Sequence, residues 1–358
     1  PEVHFILLKQ NILSGNSNEL AELGQHFIVG YRNFEEVQKL VEKKAIGGIF
    51  ITTRNVKDKT QSEIRQEIQA LQAIRSQQGL SPLWIATDQE GGVVSRLSPP
   101  LPPLPQLSKV IDETKKIEQS KDAVVQYAKT QGRELSELGI NLNFAPVVDL
   151  NKGIITPKDK FSKIYQRAIS KDKEVVAKVA LWYCQTLEES GVNCTIKHFP
   201  GLGRVNQDTH IANADLTTSV DELTRDDWVP FREVMSHSQA VTMLGHAKLT
   251  AVDSEYPVSF SQQVVSGIIR KAWHYDGVLI TDDFSMGAVY SSKYGLSGAT
   301  VNAINAGVDL ILIAYDKDLY YEAMSSLIKA DRSHNLDKGI LDKSHKRLEQ
   351  AKKSILKA

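Results

Sequence analysis

The sequence has few cysteines, no long apolar run and no net charge, and each of these absences excludes a class of protein. Cys184 and Cys194 are too few for a disulfide framework and lack the paired spacing of a zinc site, so we expect two buried free thiols. No apolar run approaches the roughly 18 residues of a membrane span. The 43 basic residues balance 43 acidic ones, so no overall field favours nucleic acid or an anionic membrane. We therefore expect a soluble protein, a monomer or weak oligomer, whose partner is a neutral or zwitterionic small molecule.

The chain begins with Pro1 rather than with methionine, so its compartment cannot be read from this end. We expect the cytoplasm. A periplasmic or secreted location is the alternative if a leader precedes Pro1.

Short apolar runs recur along the chain at intervals that are too long for hairpins and long enough for helices. Apolar residues at three- and four-residue steps between the runs predict helices such as Ala123–Leu138, Val175–Glu189, Gln262–Trp273 and Thr300–Ala306. The eight runs are Phe27–Gly30, Gly48–Thr52, Leu83–Thr87, Leu142–Val148, Asn193–His198, Val241–Gly245, Val278–Thr281 and Leu310–Ala314.

Eight alternating units of this kind predict an α/β fold, a single (β/α)8 TIM-type barrel with a long loop after the fifth strand. An open doubly wound sheet is disfavoured because no Gly-rich phosphate turn follows the first run. We expect residues 1–20 to form an N-terminal arm and residues 21–358 to form the catalytic barrel with its C-terminal closing helices.

Ionisable residues follow five of the eight apolar runs. The carboxyl ends of all strands of such a barrel meet at one rim, where active sites form. Helix capping explains a single polar residue at such a position, and that interpretation stays open for Asp149 and Asp283. Five exits together predict a shared active site, because crowded charges cost stability unless function requires them. The exits are Asp88–Gly92, Asp149–Asn151, Lys197–His198, His246 and Asp282–Asp283.

The loop 199–210 is rich in turn residues and long for a strand-to-helix connection. Asp208 and His210 are two residues apart, so their side chains fall on the same face of an extended segment. A carboxylate beside an imidazole fixes the tautomer of the ring and adjusts its proton affinity. This pair is therefore a candidate general acid/base.

Several short motifs also follow one another in a fixed order. They are Gly47–Phe50 with Arg54-Asn55, Asp88–Gly92 with Arg96, Ala145–Asp149, Lys197–Gly201 followed by Asp208-Thr209-His210, and Thr281–Met286. In this order, from about Leu23 to about Ala314, the chain resembles glycoside hydrolase family 3, in its bacterial β-N-acetylglucosaminidase branch.

The resemblance implies a role for each matching residue. Asp282 would be the nucleophile and His210 the general acid/base, with Asp208 as its partner. The residues that would hold the terminal sugar are Asp88, Arg96, Arg167, Lys197 and His198. The chain departs from the family pattern at Arg167-Ala168-Ile169, which stands where the family has Arg-Ser-Phe and follows a long insert at Lys152–Gln166. Thr209 and Leu202 also replace the usual Ser and His.

The expected reaction is the removal of a terminal β-linked N-acetylglucosamine with retention, through a covalent intermediate and without a metal or cofactor. The branch implies peptidoglycan fragments of cell-wall recycling as substrates, and chitooligosaccharides are a second class. Phosphate is an alternative acceptor to water, because a neutral imidazole does not repel an anion as a carboxylate would. A metal-dependent barrel hydrolase is the rival, because His198, His246 and Asp282 at successive strand ends are potential zinc ligands. A sugar-binding barrel without catalysis is a further alternative.

Overall fold

A computed structural model describes residues 2–155, 162–206, 214–316 and 318–356 of the chain. Each of the eight predicted apolar runs overlaps a strand, and these strands are numbered here in chain order. They are β1 (Phe27–Gly30), β2 (Gly48–Ile51), β3 (Trp84–Thr87), β4 (Leu142–Asn143), β5 (Thr195–Phe199), β6 (Val241–Leu244), β7 (Leu279–Thr281) and β8 (Ile311–Ile313). Short outlying strands cover Gln89–Gly91, Val94–Ser95, Asp215–Leu216 and Lys248–Leu249.

The eight strands form two parallel sheets, as expected for an α/β fold. One sheet has the order β8-β1-β2-β3-β4, and the other has the order β7-β6-β5. Single parallel bridges lie between the sheet edges, at Leu142 with Asn193, at Val147 with Lys197 and at Ile280 with Leu310. Among the described residues no continuous ladder joins the two sheets, so closure into one barrel stays a prediction.

The strands are apolar on both sides because both of their faces are covered. Successive residues point to opposite faces of a strand. In β1, Phe27 and Val29 therefore belong to the apolar cluster between strands and helices, whereas Ile28 belongs to a second cluster between the strands. Phe50 of β2 and Trp84 of β3 join Ile28 in that inner cluster.

The helices alternate with the strands, and each of the four predicted helical segments overlaps one. The α-helices are α1 (Glu2–Leu13), α2 (Ser17–Gly24), α3 (Phe34–Glu42), α4 (Thr53–Val56), α5 (Gln61–Gln77), α6 (Lys121–Leu138), α7 (Ile164–Arg167), α8 (Lys173–Glu189), α9 (Val220–Arg225), α10 (Val229–His237), α11 (Gly287–Tyr290), α12 (Gly295–Ala306), α13 (Leu319–Arg332) and α14 (Lys338–Leu356). A π-helix covers Gln263–Ala272, and 3-10 turns cover Leu107–Lys109, Ile117–Ser120 and Val258–Phe260.

The expectation of two free thiols was wrong. Cys184 near the end of α8 and Cys194 just before β5 are both fully buried and form a disulfide, with their Cα atoms 5.3 Å apart. The chain turns back on itself between the helix and the strand, so ten residues of sequence separate two neighbouring positions. The number and spacing of the cysteines do not predict that these two positions are neighbours in the fold.

Across the described part of the chain, no helix is both long enough and apolar enough to cross a membrane. The predicted absence of a helical membrane span is consistent with this finding.

Candidate functional site

The turn after β3 places two carboxylates at the carboxyl end of the strands. Gly91 and Gly92 have φ values of +99° and +61°, which side chains rarely adopt. A Cβ atom on Gly91 would also lie 2.2 Å from the hydroxyl of Tyr127. Buried Asn143 of β4 accepts from the Gln89 main-chain N–H at 3.0 Å and donates to the Gln89 carbonyl at 3.0 Å. The two hydrogen bonds from Asn143 therefore fix the turn and, with it, the positions of Asp88 and Glu90.

Asp88 and Glu90 form a charge cluster with Lys197 of β5 and Arg167 of α7. The Lys197 Nζ lies 3.1 Å from Asp88 Oδ1 and 2.7 Å from Glu90 Oε2. Arg167 grips Glu90 with two parallel hydrogen bonds, from Nε at 2.9 Å and from an Nη at 2.6 Å. The exposed fraction of the Lys197 side chain is 2%, against 22% for Asp88. Asp88 is thus the most accessible carboxylate of a cluster with two positive and two negative charges.

The cluster keeps Glu90 and Lys197 ionised. Burial alone would raise the pKa of Glu90, but Arg167 and Lys197 outweigh it and lower the pKa to about 2. Burial lowers the pKa of Lys197, and the neighbouring carboxylates more than compensate, so the net shift is upward. A carboxyl group with such a low pKa is a poor proton donor near neutral pH. Glu90 therefore fits a positioning role better than a general acid.

His198 is oriented by Asp149, which follows β4. The Asp149 carboxylate lies 2.8 Å from His198 Nδ1 and accepts from the main-chain N–H of His198 at 3.1 Å and of Leu202 at 2.8 Å. Contact with Nδ1 leaves Nε2 as the ring atom that can meet a substrate. Asp149 is thus an orienting carboxylate rather than a helix cap, the interpretation that the sequence left open.

The exit of β7 carries Asp282 and Asp283, both largely buried. The main-chain N–H of Asp282 donates to the Leu244 carbonyl of β6 at 2.8 Å, which fixes the residue against the neighbouring strand. Asp283 Oδ1 accepts from the main-chain N–H groups of Ser285 at 2.9 Å and Ala314 at 2.8 Å. Burial, aided by the Asp282 carboxylate and only partly offset by these hydrogen bonds, raises the pKa of Asp283 to about 6.

His246, after β6, is a supporting residue of this exit. Its Nδ1 lies 2.8 Å from the Ser259 hydroxyl and its Nε2 lies 2.9 Å from the Asp283 carbonyl. Both ring nitrogens therefore contact protein atoms, and neither could ligate zinc without losing a hydrogen bond. In the described ranges, no group of three or more metal-ligating side chains comes together.

The structure brings five of the eight predicted site residues to this rim, four from the strand exits just described and Arg167 from α7. They are Asp88, Arg167, Lys197, His198 and Asp282. Arg96 lies beside them, because its main-chain N–H donates to the Asp88 carbonyl at 3.1 Å. Asp208 and His210, the predicted acid/base pair, lie outside the described residues.

A cleft of about 1090 Å³ adjoins the charge cluster on the side of Arg167. It is open, and Gln166 and Ala168 on either side of Arg167 contribute to its wall. Three lysines and one glutamate also line it. These are Lys109, Lys152, Lys171 and Glu113.

Tyr315, two residues after the end of β8, is a rim residue that the sequence reasoning missed. That reasoning considered side chains that can carry a charge near neutral pH, and a tyrosine is uncharged there. A search for aromatic residues at the same exits would have found it. The exposed fraction of Tyr315 is 44%, which is unusual for a large side chain at the end of a buried strand.

Comparison with known proteins assigns the family of this arrangement. Residues 17–351 match the model described as the glycosyl hydrolase family 3 N-terminal domain. The chain belongs to glycoside hydrolase family 3. The family predicted from the sequence motifs is thereby confirmed.

Individual members of family 3 resemble the chain along most of its length. Beta-hexosaminidase LpqI of Mycobacterium tuberculosis is 31% identical over 329 residues, which cover 90% of this chain and 80% of the relative. A family 3 beta-N-acetylglucosaminidase structure from Paenibacillus has a TM-score of 0.85 and 29% identity and covers 94% of this chain. A family 3 glycosyl hydrolase structure from Mycobacterium smegmatis has a TM-score of 0.81 and 28% identity.

The relatives differ in length. This chain spans 62% of the Paenibacillus chain and 98% of the Mycobacterium smegmatis chain. The prediction of an enzyme of the β-N-acetylhexosaminidase type is confirmed at the level of the family and its named relatives. The substrate and the residue roles belong to the proposal below.

Proposed function

We propose that the chain hydrolyses terminal, non-reducing β-linked N-acetylglucosamine from small glycans and retains the anomeric configuration, with Asp282 as the nucleophile. The observation that carries this proposal is the composition of the rim. Buried Asp282 follows β7, and the charge-balanced cluster of Asp88, Glu90, Arg167 and Lys197 lies at the ends of β3 and β5. A charge-balanced donor and acceptor array suits a neutral sugar, because it offers hydrogen bonds without a net field.

The roles of the sugar-binding residues follow from their remaining hydrogen-bonding capacity. Arg167 uses three N–H groups on Glu90 and on the Ser162 carbonyl, and within the described ranges this leaves two of its five for a sugar hydroxyl. Arg96 Nε is buried and has no hydrogen-bond partner among the residues that the structure describes. A buried donor without a partner costs stability, and a bound ligand would supply the missing acceptor. Asp88, Lys197 and His198 Nε2 complete the proposed sugar site.

The proposed reaction has two steps. Asp282 attacks the anomeric carbon while His210, as imidazolium, gives its proton to the departing glycosidic oxygen, so one C–O bond forms as the other breaks. Neutral His210 then takes a proton from water, whose oxygen attacks the same carbon and releases Asp282 as a carboxylate. Asp208 orients His210 in both steps. Two inversions keep the β configuration of N-acetylglucosamine.

We further propose peptidoglycan fragments as the substrate. The cleft beside Arg167 supports this, because Lys109 and Lys171 suit the carboxylates of a muropeptide better than an uncharged chitooligosaccharide, whereas Lys152 is already paired with Asp226. The discriminating measurement is the release of N-acetylglucosamine from a muropeptide and from chitobiose, each with and without phosphate. Preferred cleavage of chitobiose would contradict the proposal that muropeptides are the substrate. Faster release in the presence of phosphate would show that phosphate, and not water, is the acceptor.

Several coarser predictions stay part of the proposal. We propose that the two sheets close into one (β/α)8 barrel within residues 21–358, with residues 1–20 as an arm. The oligomeric state, monomer or weak oligomer, remains a prediction. For the compartment, the disulfide between Cys184 and Cys194 favours the periplasmic or secreted alternative over the cytoplasm, because disulfides persist in oxidising environments.

His210→Ala tests the acid/base assignment. Removal of the proton donor should slow a glycan with a poor leaving group far more than an activated aryl glycoside, with a gap of about 10² to 10⁴ in rate. Asp208→Ala should show the same pattern more weakly, because it disturbs the imidazole and leaves it in place. Equal slowing of both substrates by His210→Ala would assign the residue to sugar positioning.

A further inference from the structure

Tyr315 is held in place by contacts on both sides of the chain. The preceding residue, Ala314, donates its main-chain N–H to Asp283 Oδ1 at 2.8 Å, and the following residue, Asp316, donates to the Ser285 hydroxyl at 3.3 Å. Asp283 and Ser285 belong to the loop that begins with the proposed nucleophile. The backbone of Tyr315 is therefore tied directly to the loop of Asp282.

The Tyr315 ring is also fixed from behind. The Phe50 ring of β2 meets it edge-on at a centroid distance of 5.8 Å. The Arg54 guanidinium of α4 lies 5.9 Å from the Tyr315 ring centroid and donates to the carbonyls of Ala314 at 3.0 Å and Tyr315 at 3.2 Å. A surface tyrosine without a function would not be expected to have so rigid a support, with 44% of its area exposed.

The polar surroundings of the Tyr315 hydroxyl are those of the sugar site. Burial raises its pKa to about 12, and the carboxylates of Asp88 and Asp283 contribute to the rise, whereas Arg96 and the Thr52 side chain oppose it. The hydroxyl is therefore protonated throughout the working pH range, which excludes it as an acid/base. Asp88 and Arg96, which we assign to the terminal sugar, are thus close enough for their charges to act on the Tyr315 hydroxyl.

We propose that Tyr315 is a substrate-contacting residue whose ring packs against the apolar face of the terminal sugar. This inference rests on the proposed function, and it adds an aromatic wall to a site otherwise built from charged groups. A fixed ring loses little conformational entropy on binding, so its contact area contributes directly to affinity.

The test compares Tyr315→Ala and Tyr315→Phe with the wild type on an aryl N-acetyl-β-glucosaminide, with inhibition by free N-acetylglucosamine as a second readout. Loss of the ring should raise KM and the inhibition constant about tenfold, the upper end for one ring contact, and should change kcat less than about threefold. Tyr315→Phe, which keeps the ring, should stay within about twofold of the wild type. Trp182→Ala, which removes a half-buried ring on the outer helix α8, is the control and should leave both constants unchanged.

The melting temperature of each variant separates a binding effect from loss of folding, and Tyr315→Leu, which keeps the bulk, replaces the alanine variant if that protein does not fold. Unchanged constants in a folded Tyr315→Ala variant would overturn the inference, as would a Tyr315→Phe variant as impaired as the alanine variant. If the wild type releases no N-acetylglucosamine from any β-glycoside, the proposed function itself fails.

Discussion

On the two sides of the rim, the pKa values of buried carboxyl groups are shifted in opposite directions. On the side of β3 and β5, Glu90 lies against Arg167 and Lys197, and its pKa falls to about 2. On the side of β7, Asp283 is equally buried, but its hydrogen bonds come from uncharged main-chain N–H groups and its pKa rises to about 6. The two buried carboxyl groups differ because a full positive charge offsets desolvation and two amide dipoles do not.

This difference matches a division of labour in the proposed reaction. Ionised groups fixed by ion pairs give a rigid set of donors and acceptors, which suits the binding of sugar hydroxyls. Asp282 lies beside Asp283, whose main-chain N–H donates to Asp282 Oδ1 at 2.8 Å. The proposal therefore assigns sugar binding to the side of β3 and β5 and the nucleophile to the side of β7.

The largest expected effect is on the β7 side. Asp282→Asn should lower turnover of N-acetyl-β-glucosaminides by on the order of 10⁴-fold or more, because it removes the nucleophile and leaves the packing intact. Asp283→Asn is the matched control, since its Oδ1 can still accept from Ser285 and Ala314, and it should keep activity within about tenfold of the wild type. Steady-state kinetics on both purified variants, with circular dichroism to verify folding, makes the measurement. A folded Asp282→Asn variant with near-normal activity would reverse the two roles.

The next effect concerns stability on the opposite side. Glu90→Gln leaves Arg167 and Lys197 without their shared carboxylate, and breaking a buried pair typically costs about 3–5 kcal/mol in the free energy of unfolding. Glu222→Gln is the control, because it breaks the more exposed ion pair to Arg204, for which about 0–1 kcal/mol is expected. Urea unfolding at pH 7 measures both. An equal loss of unfolding free energy in the two variants would show that the buried ion pairs contribute no more to stability than the exposed pair does.

A smaller effect is a pH dependence of opposite sign on the two sides. Glu90 has a folded-state pKa of about 2 against an ordinary 4.5, so its contribution to stability is present above pH 4.5 and is lost as the pH falls toward 2. Asp283 has a folded-state pKa of about 6 against 3.8, so the wild type loses stability as the pH rises from 3.8 to 6. Because a tenfold change in proton affinity corresponds to about 1.4 kcal/mol, each carboxyl group changes the free energy of unfolding by about 3 kcal/mol.

Comparison of each variant with the wild type separates the two pH dependences of the free energy of unfolding. Relative to Asp283→Asn, the wild type should become less stable between pH 4 and 6. Relative to Glu90→Gln, it should become more stable between pH 2.5 and 4.5. Urea unfolding at half-unit intervals of pH gives both differences, and two slopes of the same sign would refute the contrast between the sides.

The sequence predicted the framework of the rim because the framework depends on local pattern. Apolar runs of four to five residues determine strands such as Phe27–Gly30, and polar residues directly after them must lie at the strand ends. Asp88, Lys197, His198 and Asp282 were found in this way. The strand predicted over Leu142–Val148 was too long, since the observed strand covers only Leu142–Asn143. The reason is that apolar character does not distinguish a strand from the buried loop that follows it.

What the sequence did not predict depends on contacts between distant segments. The pairing of Glu90 with Arg167 joins residues 77 positions apart, and neither residue type alone indicates its partner. Cys184 and Cys194 became a pair only through the packing of α8 on β5. Asp149 was left open as a helix cap and Tyr315 was missed, because the contacts of both residues come from neighbouring strands that the local sequence pattern does not specify.

The most direct test of the central proposal is to trap the glycosyl-enzyme. A fluorinated, slowly hydrolysed N-acetyl-β-glucosaminide should leave a sugar on the tryptic peptide 272–293, and fragmentation in a mass spectrometer should assign it to Asp282. The Asp282→Asn variant should remain unlabelled under the same conditions. A label on Asp283, or release of α-configured N-acetylglucosamine with no labelled peptide, would contradict the proposed nucleophile and the retaining mechanism.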